Sequence, residues 1–173
     1  MNGRLRVLSH ATNRGYGAAL RAGFAESRGD LVFYTDSDNQ FDLSELDGFL
    51  PLMAEEDAVL GYRLERREGW LRRLSSGVFN RLSGAALGMR IRDLNCSFKL
   101  FRGELIRGLT LESEDFFIDT ELVARLHRGG WRYVQRGVHH YPRSAGRSSV
   151  RPGDVPRTIA SLLRMRRRLR ATA

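Results

Sequence analysis

Short apolar runs alternate along this chain with longer stretches in which apolar positions recur every three or four residues, the pattern of strands alternating with helices. Leu5 to Leu8 predicts a short first strand. Asn13-Arg14-Gly15-Tyr16-Gly17 follows, and apolar or small residues at 16, 19, 20, 23 and 24 then predict a helix. Gly29-Asp30 breaks the chain ahead of Leu31-Val32-Phe33-Tyr34-Thr35, a β-prone run apolar enough for a buried parallel strand, which ends in Asp36-Ser37-Asp38. Asp42-Leu43-Ser44-Glu45 reads as a helix start, with Leu46, Phe49, Leu50 and Met53 facing inward.

A strand is predicted at Ala58 to Leu60, closing at Gly61-Tyr62-Arg63. The next helix runs from about Trp70 to Leu87, places Leu71, Leu74, Val78 and Leu82 inward and stops at Gly88. Further elements are expected at Ser97 to Phe101 (strand), Thr120 to His127 (helix) and Trp131 to Val138 (strand). Alternation of this kind predicts an α/β domain with a mainly parallel sheet flanked by helices.

At 173 residues and 42% hydrophobic the chain suits one core, assigned here to residues 1–150, with 151–173 as a basic tail. Cys96 is the single cysteine, so it forms no internal disulfide, and it reads as a small buried residue of a reducing compartment. No run approaches the roughly 18 apolar residues of a membrane-spanning helix, and the start lacks a signal peptide's apolar stretch, so a cytoplasmic location is expected. The net charge of +9 points to an anionic partner or surface. Six arginines, at 157, 164, 166, 167, 168 and 170, fall in the last seventeen residues, where Ile159, Leu162, Leu163, Met165 and Leu169 gather on one side of a helix. Such a segment predicts peripheral association with an anionic membrane at its inner face.

The sharpest chemical signal is Asp36-Ser37-Asp38 at the end of a strand, where open α/β sheets bind ligands. Carboxylates two apart on an extended segment point the same way and can share one divalent cation, with Gln40 as a further oxygen donor. A cation so held would bridge a diphosphate. Arg63, Arg72, Arg73 and Arg143 supply guanidinium forks suited to phosphate oxygens.

In chain order stand Asn13-x-Gly15-x-Gly17-x-Ala19, Gly29-Asp30 with Asp36-Ser37-Asp38 and Gln40, Gly61-x-Arg63, and Arg72 with Ser76 and Asn80. Asp93-x-x-Cys96-x-Phe98-Lys99-x-Phe101-Arg102, Phe117-x-Asp119-x-Glu121-Leu122 and His140-x-x-Arg143-x-x-Gly146-x-Ser148 follow. Over roughly residues 5 to 150 this set resembles family 2 of the glycosyltransferases, specifically the dolichyl- and polyprenyl-phosphate sugar synthases. The resemblance implies a GT-A (Rossmann-like) fold, Mg²⁺ or Mn²⁺ as cofactor, and inverting transfer of a sugar from a nucleotide diphosphate donor to a lipid phosphate. It implies that Asp36, Asp38 and Gln40 hold metal and diphosphate, and that Gly15 and Gly17 let backbone pass near the nucleotide. Arg63, Arg72, Arg143 and Ser148 would bind phosphate, and Asp93 would be the acidic residue nearest the acceptor. Asp93, Asp119 and Glu121 read equally well as buried structural acids.

The Pro-x-Tyr-Asn-Glu and Asp-Asp-x-Ser motifs with which such proteins open are missing from this sequence. The expectation is therefore an N-terminally truncated domain, short by roughly 50 residues, that grips donor weakly by itself. Two other classes meet parts of the pattern. A haloacid-dehalogenase-like phosphotransferase also places Asp-x-Asp after a strand, but carries Thr or Val where Gln40 stands. A nucleic-acid-binding module would use the charge, yet the arginine-rich tail has no interleaved aromatics, and no nucleic acid is expected as partner.

Overall fold

The structure, a computed structural model, describes residues 5–64, 70–142, 161–165 and 167, the side chains of 70–76 excepted. Strands β1 (Leu31–Tyr34), β2 (Ala58–Arg63), β3 (Lys99–Arg102) and β4 (Tyr133–Val138) form one sheet in the order β1-β3-β2-β4. β2 and β4 pair in parallel, whereas β3 pairs antiparallel with both β1 and β2. Strands β1, β2 and β4 therefore run one way and β3 between them runs the other, so the sheet expected to be mainly parallel is mixed, with two of its three pairings antiparallel. The reversal has a cause in contacts distant along the chain. The segment before β3 is tied to the ends of the other strands, through Ser97 to Asp36 and through Asp93 to Arg63. From there the chain can enter the sheet only in the opposite direction.

Period-2 alternation divides the sheet between two apolar clusters. Ala58, Leu60 and Phe101 face one cluster with Phe24, Leu105, Ile106, Ile118, Leu122 and Leu126. These come from α1 (Tyr16–Glu26), α3 (Gly103–Gly108) and α4 (Ile118–Arg128). Val59, Phe98 and Leu100 face the other, with Phe49, Met53 and Val138. Phe98 is its centre, with ring centroids of Phe33, Phe49 and Phe41 at 4.7, 5.0 and 5.5 Å.

Several sequence expectations change. Leu5 to Leu8 forms no strand, and its apolar side chains are exposed, because no described strand lies beside it to complete a ladder. The helix expected after Asp42 is two 3-10 segments, Leu43–Gly48 and Leu50–Ala54. Asp42 does cap the first, accepting the Ser44 amide at 2.9 Å. α2 (Trp70–Leu87) ends at Gly88 as anticipated, with a left-handed φ of 75°. Its inward face is not the expected one: Val78 and Leu82 are 48% and 52% exposed, while Asn80 and Ser83 are buried. Asn80 turns the helix, donating to Arg92 O at 3.0 Å and accepting from the Leu94 amide at 3.4 Å. Leu71 and Leu74 lie outside the described side chains. Cys96 is buried as expected, and burial first, then the charge of Asp93, pushes its thiol up to about 12.

Of the tail, residues 161–165 and 167 are described, and they are helical. Leu162 and Met165 are buried against Phe117, with Phe79, Ala86 and Leu87 beside them. This part of the apolar face meets the domain.

Because Phe98 is fully buried and central to its cluster, Phe98→Ala is expected to cost about 3–5 kcal/mol. Urea denaturation checks it, as a fall in midpoint at unchanged slope.

Candidate active site

The candidate site lies where β1 and β2 end. Asp36 lies two residues past the end of β1 and is exposed, and Ser97 Oγ donates to its Oδ2 at 2.6 Å. Asp38 Oδ1 accepts the Gln40 amide at 3.3 Å, an Asx-type turn in which Asn39 takes φ 58°. Gln40 then clamps a second loop: its Nε2 donates to Tyr141 O at 2.9 Å, and the Tyr141 amide donates to Gln40 O at 2.8 Å. Phe41 and His140 complete the bridge. The carboxylate turn is thereby held beside the segment that leads, two residues on, to Arg143.

Behind Asp36 sits a buried polar cluster. Lys99, fully buried as the first residue of β3, donates to Asp119 Oδ1 at 2.6 Å and to the Cys96 carbonyl. Tyr16 donates to Asp119 Oδ2 at 3.5 Å, and its hydroxyl also meets that of Tyr34. Burial drives the Asp119 carboxyl above its usual range, against the opposing charge of Lys99, and the negative charge of Asp36 adds to the rise. Burial likewise raises the Tyr16 phenol, helped by the charges of Asp119 and Asp36.

Two residues expected to act separately are joined. Arg63 Nε donates to Asp93 Oδ2 at 2.7 Å and Nη2 to Oδ1 at 3.1 Å, with side chains 12% and 2% exposed. This bidentate, nearly dry pair orients the end of β2 against the turn before β3.

The glycines have a packing reason of their own. Gly15 is at φ 87°, and a Cβ on Gly17 would lie 2.2 Å from Ser113 O. The Gly17 amide donates to Glu114 O at 2.8 Å, so segment 112–115 presses directly on the start of α1. Buried Glu121 holds that segment, accepting the Ser113 amide at 2.7 Å and the Glu112 amide at 3.0 Å. Burial opposes ionisation of Glu121, but the donors from Ser113, Glu112 and Arg125 outweigh it and keep its carboxyl below the usual range.

Among the expected site residues the structure thus brings together Asp36, Asp38 and Gln40 on one turn, and Arg63 with Asp93. Arg143 and Ser148 lie outside the described residues, as does the side chain of Arg72. Lys99, Tyr16, Tyr34 and Ser97 carried no site assignment from the sequence. A lysine set between Phe98 and Leu100 gives no local sign of whether its charge is buried, and only the Phe117-x-Asp119 motif hinted at an acid needing a partner.

Asp36 and Asp38 are hard oxygen donors, and the Ser97 bond engages only Oδ2 of Asp36. No cluster of three or more histidine, cysteine or carboxylate groups occurs among the described residues. One or two carboxylates suit Mg²⁺ or Mn²⁺, whose remaining positions go to water and phosphate oxygens, so the donor set fits such an ion.

A mixed sheet with helices on its faces, with Asp36 and Asp38 just past a strand end, is an α/β architecture of GT-A type. The chain belongs to glycosyl transferase family 2, whose family model matches residues 1–109. It is 30% identical over 162 residues to the dodecaprenyl-phosphate galacturonate synthase of Rhizobium johnstonii, covering 92% of this chain and 48% of that protein. To the undecaprenyl-phosphate 4-deoxy-4-formamido-L-arabinose transferase of Shewanella sediminis it is 33% identical over 147 residues, covering 82% and 43%. Glucosyl-3-phosphoglycerate synthase from Mycobacterium tuberculosis, solved with Mn²⁺ and uridine-diphosphate-glucose, shares the fold at a TM-score of 0.66 and 21% identity, over 88% of this chain and 54% of that one. The chain spans less than half the length of these curated relatives.

Lys99→Met is expected to destabilise by about 3–5 kcal/mol, since it leaves Asp119 buried without its counter-ion. With its folded-state pKa raised by burial, Asp119 penalises folding only above its unfolded value and more so as pH rises. The deficit of the variant should therefore shrink between pH 7 and about pH 4, and Lys99→Met/Asp119→Leu should recover much of the loss at pH 7. Thermal melts across that range check both.

Proposed function

We propose that this chain forms the catalytic part of an inverting transferase that moves a sugar from a nucleotide diphosphate donor to a polyprenyl or related lipid phosphate. The observation that carries the reading is the Asp36–Asp38 turn at the end of β1, braced by Ser97 and clamped to the Gln40–Tyr141 loop, in a chain of this family. Both curated relatives are named for transfer involving a polyprenyl phosphate, and the solved relative carries Mn²⁺ with a uridine diphosphate sugar.

In this reading Asp36 and Asp38 would hold Mg²⁺ or Mn²⁺. The ion would offset charge on the departing nucleoside diphosphate. Ser97 and the buried cluster behind it keep Asp36 aimed, and its exposure leaves it open to ligand. An ionised lipid phosphate is already nucleophilic at neutral pH, so its oxygen attacks the anomeric carbon as the donor bond breaks, without needing a strong base. Asp93, neutralised by Arg63, is suited to positioning rather than proton abstraction. Phosphate binding falls to the remaining arginines, Arg72 and Arg143, with Ser148. A lipid-borne acceptor is met at a membrane surface, for which the basic tail supplies attraction of about 1 kcal/mol per arginine near anionic lipid. No helix among the described residues is long and apolar enough to cross a membrane.

Assayed in the whole protein with nucleotide sugar, Mn²⁺ and polyprenyl phosphate, Asp38→Ala should lower transfer on the order of a hundredfold, and Asp36→Ala nearly as much. Near-normal, metal-dependent turnover in Asp38→Ala would sink the assignment.

A further inference from the structure

Residues 70–92 contain five arginines and neither aspartate nor glutamate. Three of them, Arg81, Arg90 and Arg92, are exposed, and none takes part in an ion pair among the described residues. All three line a single open groove of about 880 Å³ between α2 and the turn after it. That volume lies in the range of small-molecule sites, about 300–1,000 Å³.

The groove is built rather than incidental. Its helix side is bare because Gly77, Gly84 and Ala85 line it. A Cβ on Gly84 would lie 2.6 Å from Met89 O, so the turn can approach this closely only against glycine. Gln135 of β4 grips the turn from the other side, accepting the Arg92 amide at 2.8 Å and donating to Arg90 O at 2.9 Å. The Arg92 guanidinium stacks over the Tyr62 ring at 4.6 Å, which limits its rotamers before any ligand arrives. Three guanidinium groups with no local carboxylate to neutralise them make a receptor for a doubly ionised or diester phosphate. A groove this large, with Ala85, Met89 and Ile91 among its walls, also accommodates an apolar or sugar body attached to that phosphate.

We propose that this groove is a binding site for a phosphate mono- or diester, held by Arg81, Arg90 and Arg92, and distinct from the Asp36–Asp38 turn. It uses no residue assigned above to metal, donor or acceptor, so it stands or falls independently of the transferase reading. The phosphate could belong to a soluble metabolite or to a lipid headgroup.

The test uses the full chain in EDTA, which removes any divalent metal. Calorimetric titration with glycerol 3-phosphate probes the soluble source. Co-sedimentation with phosphatidylglycerol–phosphatidylcholine vesicles, against phosphatidylcholine alone, probes the headgroup. Arg90→Gln/Arg92→Gln should weaken binding of at least one probe about tenfold or more, as loss of charge-assisted hydrogen bonds predicts. Ala85→Trp should do the same by filling the groove at unchanged charge, and Asp36→Asn should leave binding unaltered. Loss of glycerol 3-phosphate binding supports a soluble ligand, and loss confined to the anionic vesicles supports a headgroup. Melting curves confirm folding of each variant. The proposal is overturned if Ala85→Trp binds both probes like the parent chain, whether or not the arginine variant does, because the groove would then play no part.

Discussion

A fully buried lysine in the middle of a sheet is the constraint around which this structure is arranged. Lys99 opens β3 and has no access to water, so its charge must be met inside. Asp119, in the first turn of α4, meets it at 2.6 Å, and Tyr16 from α1 donates to the second oxygen of the same carboxylate. Tyr34, the last residue of β1, joins through the Tyr16 hydroxyl. One ion pair thus ties β3, α4, α1 and β1 together directly beneath Asp36. Moving any of these elements would leave a charge buried and alone, so the network favours one arrangement over looser ones.

The next link runs through Glu121, two residues from Asp119 on the same helix. Where Asp119 reaches into the sheet, Glu121 reaches the loop before α4 and takes its amides at Glu112 and Ser113. That loop lies against Gly15 and Gly17, where side chains would collide with its carbonyls. The Phe117-x-Asp119-x-Glu121 motif therefore works as two anchors that set the start of α1 and the end of β1 relative to each other. Both act on the rim where the Asp36–Asp38 turn sits. On this view the acids of the motif shape the site by position, and exposed Asp36 is left to meet ligand.

Much of this was legible from residue pattern. The apolar runs at 31–35 and 58–60 gave strands in place, and Gly88 stopped its helix through a left-handed φ that glycine adopts without strain. The Asp-Ser-Asp turn fell at a strand end as read. What was not legible depended on pairing in space. Nothing local shows that β3 runs backward, because direction is set by ties from Ser97 and Asp93 to distant strand ends. Nor does local pattern show that Asn80 outranks Val78 and Leu82 for the inner face of α2, since its amide answers two backbone groups that lie twelve and fourteen residues on. Arg63 and Asp93 looked like separate reagents for the same reason: their partnership spans thirty residues.

Charge is distributed by the same logic. Where arginine enters the interior it is matched, as at Arg63–Asp93 and Arg125–Glu121, and those pairs hold loops and strand ends in register. Arginine is also concentrated in two stretches without a single acid, residues 70–92 and 155–173. The described part of the second stretch packs on the first, with Leu162 and Met165 beside Phe79, Ala86 and Leu87. Segments carrying only positive charge repel one another, and this contact offsets that repulsion with apolar burial. The apolar positions of the tail are therefore shared between anchoring it to α2 and any contact beyond the protein. Leu163, which stays exposed beside Arg164 and Arg167, is the described apolar residue of the tail left for the second task.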